Sequence, residues 1–121
     1  MNIHGNINYI EIPAKDIAVS KTFFTKAFGL SFTDYGPEYT AFSGAGVNGG
    51  FYKADLTAST KNGSVLVVFY SNNLKESQTK IEQAGGTIVK PIFAFPGGHR
   101  FQFCDPNENE FAVSSDVYIE G

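Results

Sequence analysis

Apolar and polar positions along the chain fall into two copies of one pattern: a strand, a helix and three further short strands. Residues 6–12 place Ile7, Tyr9, Ile10 and Ile12 ahead of Pro13, which reads as a first strand closed by a residue that cannot donate to a ladder. Asp16 follows, and Ile17, Ser20, Phe23, Phe24, Ala27 and Phe28 recur at spacings of three and four. This pattern predicts an amphipathic helix capped by Asp16 and stopped at Gly29. Residues 30–35, 39–42 and 47–53 read as three short strands, separated by Gly36-Pro37 and by Gly44 and Gly46.

The second copy opens with a Val- and Phe-rich strand over 64–70. Asn73 then precedes Leu74, Ser77, Gln78, Ile81 and Ala84, a second capped helix with Glu76 four residues before Lys80 on its outer face and Gly85-Gly86 at its end. A strand over 87–90 follows, then a hairpin of 100–104 and 110–114 turned at Asp105-Pro-Asn-Glu-Asn. Phe101, Phe103, Phe111 and Val113 share one parity and are assigned to the core; Arg100, Gln102, Glu110, Ala112 and Ser114 share the other face. Asp16 matches Asn73, Ile17 matches Leu74 and Gly29 matches Gly86 at one offset of 57. A unit of this length cannot cover its own apolar face, so the two are expected to pair within residues 1–121 as one domain. Module 1 covers about residues 6–54, a small, polar linker 55–63, and module 2 about 64–115.

Composition narrows the function. Hydrophobic residues are 42% and charged residues 17% of 121, enough apolar surface for one well-filled core. The net charge of −3 and the scatter of Lys75, Lys80 and Lys90 argue against a nucleic-acid partner. Cys104 is the single cysteine, which excludes an intrachain disulfide and a thiolate zinc site and suits a reducing compartment. No apolar run approaches the roughly 20 residues of a membrane helix, and no basic segment followed by an apolar one opens the chain. No membrane partner is therefore expected, and the expected location is cytoplasmic.

Several stretches together carry a family likeness: Glu11-Ile-Pro-Ala-Lys-Asp, Phe23-Phe24, Phe28-Gly-Leu-Ser-Phe, Ala84-Gly-Gly, and the run from Lys90-Pro-Ile-Phe-Ala-Phe-Pro-Gly-Gly-His-Arg to Asp105-Pro-Asn-Glu-Asn-Glu. Across nearly its whole length the chain resembles the vicinal oxygen chelate superfamily, which includes glyoxalase I, extradiol dioxygenases, fosfomycin-resistance transferases and bleomycin-binding proteins. It looks most like the small glyoxalase-related members. The resemblance implies an α+β fold of two βαβββ modules whose curled mixed sheets surround a shared concave pocket, and a homodimer. Metal enzymes of the family take ligands from the first and last strands of each module. Here those positions hold Tyr9, Leu66 and Ala112, with a fourth near residues 51–53, and neither leucine nor alanine can ligate. The chain has two histidines, His4 and His99, whereas a catalytic divalent metal usually takes three protein ligands. No metal and no other cofactor is expected, although Glu11 and Glu110 could in principle hold a hard cation.

By strand parity, Tyr9, Glu11, Leu66, Val68, Tyr70, Arg100, Gln102, Glu110, Ala112 and Ser114 are expected to share the concave side. Such a lining suits a small organic ligand with one or two hydrogen-bonding groups. Tyr9, Tyr70, His99, Arg100, Gln102 and Ser114 are the candidate ligand-binding residues. His99 beside Arg100, after Gly97-Gly98, would favour an anionic group, or the glycines serve only the turn. Glu11 and Glu110 are the candidate catalytic carboxylates. Glu11 is read either as a general base or as the ion-pair partner of Arg100, and Glu110 either as a base or as a solvated edge residue. Three functions follow. The first is a metal-independent protein of the glyoxalase/bleomycin-resistance type binding a small apolar or aromatic, possibly anionic, molecule. The second is a lyase or isomerase with a carboxylate base, and the third a metal-dependent glyoxalase-like enzyme.

Overall fold

The computed structural model describes residues 2–117. β1 (Tyr9–Ala14), α1 (Ile17–Phe28), β2 (Ser31–Asp34), β3 (Tyr39–Ser43) and β4 (Asn48–Lys53) form the first module. β5 (Val67–Tyr70), α2 (Leu74–Gln83), β6 (Thr87–Phe95), β7 (Gly98–Cys104) and β8 (Glu110–Ser115) form the second. Each module builds its own four-stranded mixed sheet, in the orders β1-β4-β3-β2 and β5-β8-β7-β6. The first strand lies parallel to the last, and the other pairs are antiparallel.

Local chemistry fixes the helices. Asp16 Oδ1 accepts from the Val19 amide at 3.3 Å, and Gly29 closes α1 in the left-handed region at φ 69°, donating to Thr25 O. Asn73 caps α2 in the same way, accepting from the Glu76 amide at 3.1 Å. The second helix is two residues shorter than the first and ends at Ala84 rather than at a glycine, so the Gly29–Gly86 match of the repeat is not a match of caps.

Two strands run further than their sequences suggest. β1 continues through Pro13 to Ala14, because it is an outer strand bonded only to β4 and a missing N–H is tolerated on the open side. β6 extends past Lys90 and Pro91 to Phe95. Its pairing with β7 shifts register on both sides of Lys90, and a proline is accommodated at such an irregularity of an outer strand. The linker is not featureless either: Ser59 caps one 3-10 turn over Thr60–Asn62.

The core joins the modules through α1. Phe24, 1% exposed, lies 5.3 Å from the Phe51 ring of the first sheet and 5.2 Å from the Phe111 ring of the second. Phe28 stacks on Phe69 at 4.1 Å, and Phe23 reaches Phe103. Burying one such ring stabilises by about 2–3 kcal/mol, so this aromatic layer is a principal tie between the halves.

A second tie is polar. In the β7–β8 turn, Asn109 donates to Pro13 O at 2.6 Å and accepts from the Ala58 amide at 2.8 Å. Asn107 donates to Asp16 O and Ser20 Oγ, both at 2.8 Å, and accepts from the Asp16 amide at 3.0 Å. Asp105 Oδ1 holds the turn by accepting from the Asn107 and Asn109 amides. The turn of one module thus clasps the strand-to-helix corner of the other.

Candidate functional site

β1 and β5 are the outer strands of their sheets, and a cavity of about 590 Å³ opens between them under the linker. Ile10, Ile12, Val65, Val67, Leu56 and Phe111 supply apolar wall, while Glu11, Tyr52 and Glu110 stand among the polar lining groups. An adjoining cavity of about 640 Å³ shares Ile10, Ile12, Val65, Val67 and Phe111 and is otherwise walled mainly by apolar side chains.

On the first sheet a phenol–carboxylate chain lies beside this opening. Tyr39 pairs with Tyr52 across the strands, and its ring extends over Gly50, where a Cβ would collide with the phenol. Tyr39 donates to Glu11 Oε2 at 2.8 Å and lies 2.6 Å from the Tyr9 hydroxyl. A phenol has one hydrogen, so Tyr9 is the donor to Tyr39. Burial, together with the bonds to Tyr9 and Glu11, pushes the Tyr39 hydroxyl well above the usual phenol range, keeping it a donor at neutral pH.

On the second sheet a longer chain runs along one face. The register pairs Arg100 with Ser114, Gln102 with Ala112 and Cys104 with Glu110, and places Val68 against Ala112 and Tyr70 against Ser114. Glu110 Oε1 accepts from both the amide and the hydroxyl of Thr60 at 2.8 Å, and Oε2 accepts from Gln102 Nε2 at 2.6 Å. Arg100 Nη2 donates to Gln102 Oε1 at 3.1 Å. Burial acts to raise the Glu110 pKa, but the hydrogen bonds from Thr60 and Gln102 and the nearby Lys90 charge outweigh it, leaving the group lowered and ionised. Lys90 lies over the Phe93 ring at 4.5 Å and Arg100 at 5.3 Å.

Several expectations change. Glu11 and Arg100 do not pair: among the described residues neither takes part in an ion pair, and Glu11 is exposed and bonded to Tyr39 instead. The two side chains belong to different sheets, which sequence parity could not reveal. Glu110 is not a solvated edge residue, because the linker folds back onto it. His99 and Arg100 do not act from one face: both lie within regular β7, where successive side chains alternate, and His99 pairs with Ser115 and Ala94 in phase with buried Phe101. Tyr70 stays 64% exposed and donates to Asp116 at 2.6 Å. Tyr39, Tyr52, Thr60 and Lys90 are not among the sequence-derived candidates: strand aromatics are ordinary core and rim material, and Thr60 and Lys90 are brought in by a linker and an irregular outer strand.

At two of the positions where the resemblance implies metal ligands, the side chains cannot ligate. Ala112 is fully buried between Val68 and Gln102, and Leu66 precedes β5 with no donor atom on its side chain. Among the described residues no three His, Cys, Asp or Glu side chains stand close enough to hold a metal ion. No described helix is long and apolar enough to cross a membrane.

Solved structures share the fold. A glyoxalase/bleomycin resistance protein/dioxygenase family enzyme from Burkholderia phytofirmans superposes with a TM-score of 0.78 at 15% identity, over 93% of this chain and 100% of the other. A glyoxalase-related enzyme from Fulvimarina pelagi gives 0.75 at 18%, over 92% and 88%. The fosfomycin resistance protein FosX from Listeria monocytogenes gives 0.76 at 18%, over 93% and 94%. No curated protein matches the chain by sequence. The family model that matches residues 6–113 closes the assignment: the chain belongs to the Glyoxalase/Bleomycin resistance protein/Dioxygenase superfamily.

Proposed function

We propose that the protein binds a small apolar or aromatic molecule in the β1–β5 cavity without a catalytic metal. The observation that carries this reading is the cavity itself, of about 590 Å³, walled by aliphatic and aromatic side chains with a few polar groups. Its size and character are those of small-molecule sites. The anionic group expected from His99 and Arg100 is not carried forward, since neither residue lines this cavity. Calorimetric titration with small aromatic compounds tests the reading. Micromolar binding that Val65→Glu abolishes, with the urea midpoint unchanged, supports it; binding that survives Val65→Glu refutes it.

A second reading is favoured by Glu11, a carboxylate on the cavity wall held by the Tyr39 phenol. It is a proton-transferring lyase or isomerase with Glu11 as base. Exchange of an acidic C–H of a bound carbonyl compound in deuterated water, abolished by Glu11→Gln, would support it; exchange at the same rate in the variant would refute it. A homodimer belongs to the first reading as well. Ile7, Val65, Val68 and Tyr70 are exposed along or beside the open strands β1 and β5, and light scattering at twice the chain mass is the expected result.

A further inference from the structure

The charged side chains lining the β1–β5 cavity are Glu11 and Glu110, with no lysine, arginine or histidine among its lining residues. The two carboxylates are not equivalent. Glu110 is saturated by Thr60 and Gln102, and its charge is offset by Lys90 and, through Gln102, by Arg100. Glu11 has one described partner, the neutral Tyr39 hydroxyl on Oε2, and no described cation within ion-pair distance. The excess negative charge of the cavity therefore resides on Glu11, in a lining that is otherwise largely apolar and includes Tyr52.

We infer that the cavity's ligand is an amphipathic amine, an alkyl or aryl body carrying one ammonium group. The body fills the space between Ile10, Val65, Val67 and Phe111, and the ammonium donates to Glu11. This rests on the reading of the cavity as a small-molecule site and adds the ligand's charge. An ionised carboxylate beside an apolar opening favours a cation over a neutral or anionic head, since charge-assisted hydrogen bonds are about twice as strong as neutral ones. Tyr39 is the positioning residue. Lying across Gly50 and taking a hydrogen bond from Tyr9, it has its own hydrogen directed to Glu11 and holds that carboxylate at the cavity wall.

The test compares three compounds with one skeleton: 4-phenylbutylamine, 4-phenylbutanol and 4-phenylbutanoate, titrated calorimetrically into the full chain at pH 7 and low salt. The amine is expected to bind about tenfold tighter than the alcohol, with the carboxylate weakest. Glu11→Gln is expected to erase the preference for the amine, bringing its affinity to that of the alcohol for the same variant, with the urea midpoint unchanged. Tyr39→Phe is expected to reduce the preference by a smaller factor. Equal binding of amine and alcohol, tighter binding of the carboxylate, or a preference that survives Glu11→Gln overturns the charge assignment alone. Absence of binding by all three overturns the cavity reading and the inference with it.

Discussion

Replacing Asn109 by alanine isolates the clasp between the modules. The side chain is 1% exposed and makes two hydrogen bonds across the molecule, donating to Pro13 O at 2.6 Å and accepting from the Ala58 amide at 2.8 Å. Its own amide still donates to Asp105 Oδ1 in the variant, so the turn keeps its shape and only the cross-links are lost. Truncation leaves a buried carbonyl and a partly buried amide without partners, and each such loss costs about 1–3 kcal/mol. The expected total is about 3 kcal/mol, which in a domain of this length lowers Tm by about 12 °C. Urea unfolding followed by far-UV circular dichroism measures it as a lower midpoint at constant slope. Pro13 and Ala58 also line the cavity, so ligand affinity should fall with stability. A loss below about 1 kcal/mol would refute the clasp, since a single exposed hydrogen bond would account for it.

Asp105 is pushed up to about 6 by burial, against the hydrogen bonds it accepts from Asn107 and Asn109, and its Oδ2 is buried without a partner. The native state then binds a proton more readily than the unfolded chain, so unfolding free energy rises as pH falls from about 6 towards the ordinary value of 3.8. The change is about 2–3 kcal/mol, and Asp105→Asn should flatten that window. Glu110 has the opposite sign: its lowered pKa contributes stability at neutral pH that is lost as pH falls through the folded-state value, so Glu110→Gln should be less stable than the wild type at neutral pH and lose less on further acidification. Glu108 holds a left-handed φ of 68° while its side chain makes only an exposed 3.5 Å contact with Lys15. Glu108→Gly should therefore raise the urea-derived stability by about 0.5–1 kcal/mol. Gly50→Ala should destabilise by about 2 kcal/mol by driving its methyl into the Tyr39 phenol, with Thr40 O at 2.9 Å behind it. Combining it with Tyr39→Ala should recover part of that loss, and additive losses would refute the contact.

Much of the fold was legible because its signals are local. Asp16 and Asn73 announce their helices by side chains that cap the chain three residues on, and the alternation from Arg100 to Ser114 fixes which residues enter the core and which share the other face. At two of the positions where the resemblance implies metal ligands the sequence holds Leu66 and Ala112, whose side chains carry no donor atom. Other readings failed where contacts cross between elements. Glu11 and Arg100 occupy plausible parities but lie on separate sheets, and the missing Glu11 partner is Tyr39, selected by the β3–β4 register and by the space left above Gly50. His99 immediately precedes Arg100 in sequence yet alternates to the opposite face, because β7 already begins at Gly98.

By itself, then, the sequence determined the elements, their repeat and the apolar parity of each strand, all set by one residue's chemistry or by spacing within a few positions. Only the tertiary structure decided that β1 and β5 leave a cavity between their sheets, that the linker brings Thr60 onto Glu110, and that Glu11 lines the cavity with no cation among the described residues within ion-pair distance. Those outcomes depend on the relative placement of groups tens of residues apart, and that placement is set by the shared aromatic core and the Asn107 and Asn109 clasp rather than by any local pattern.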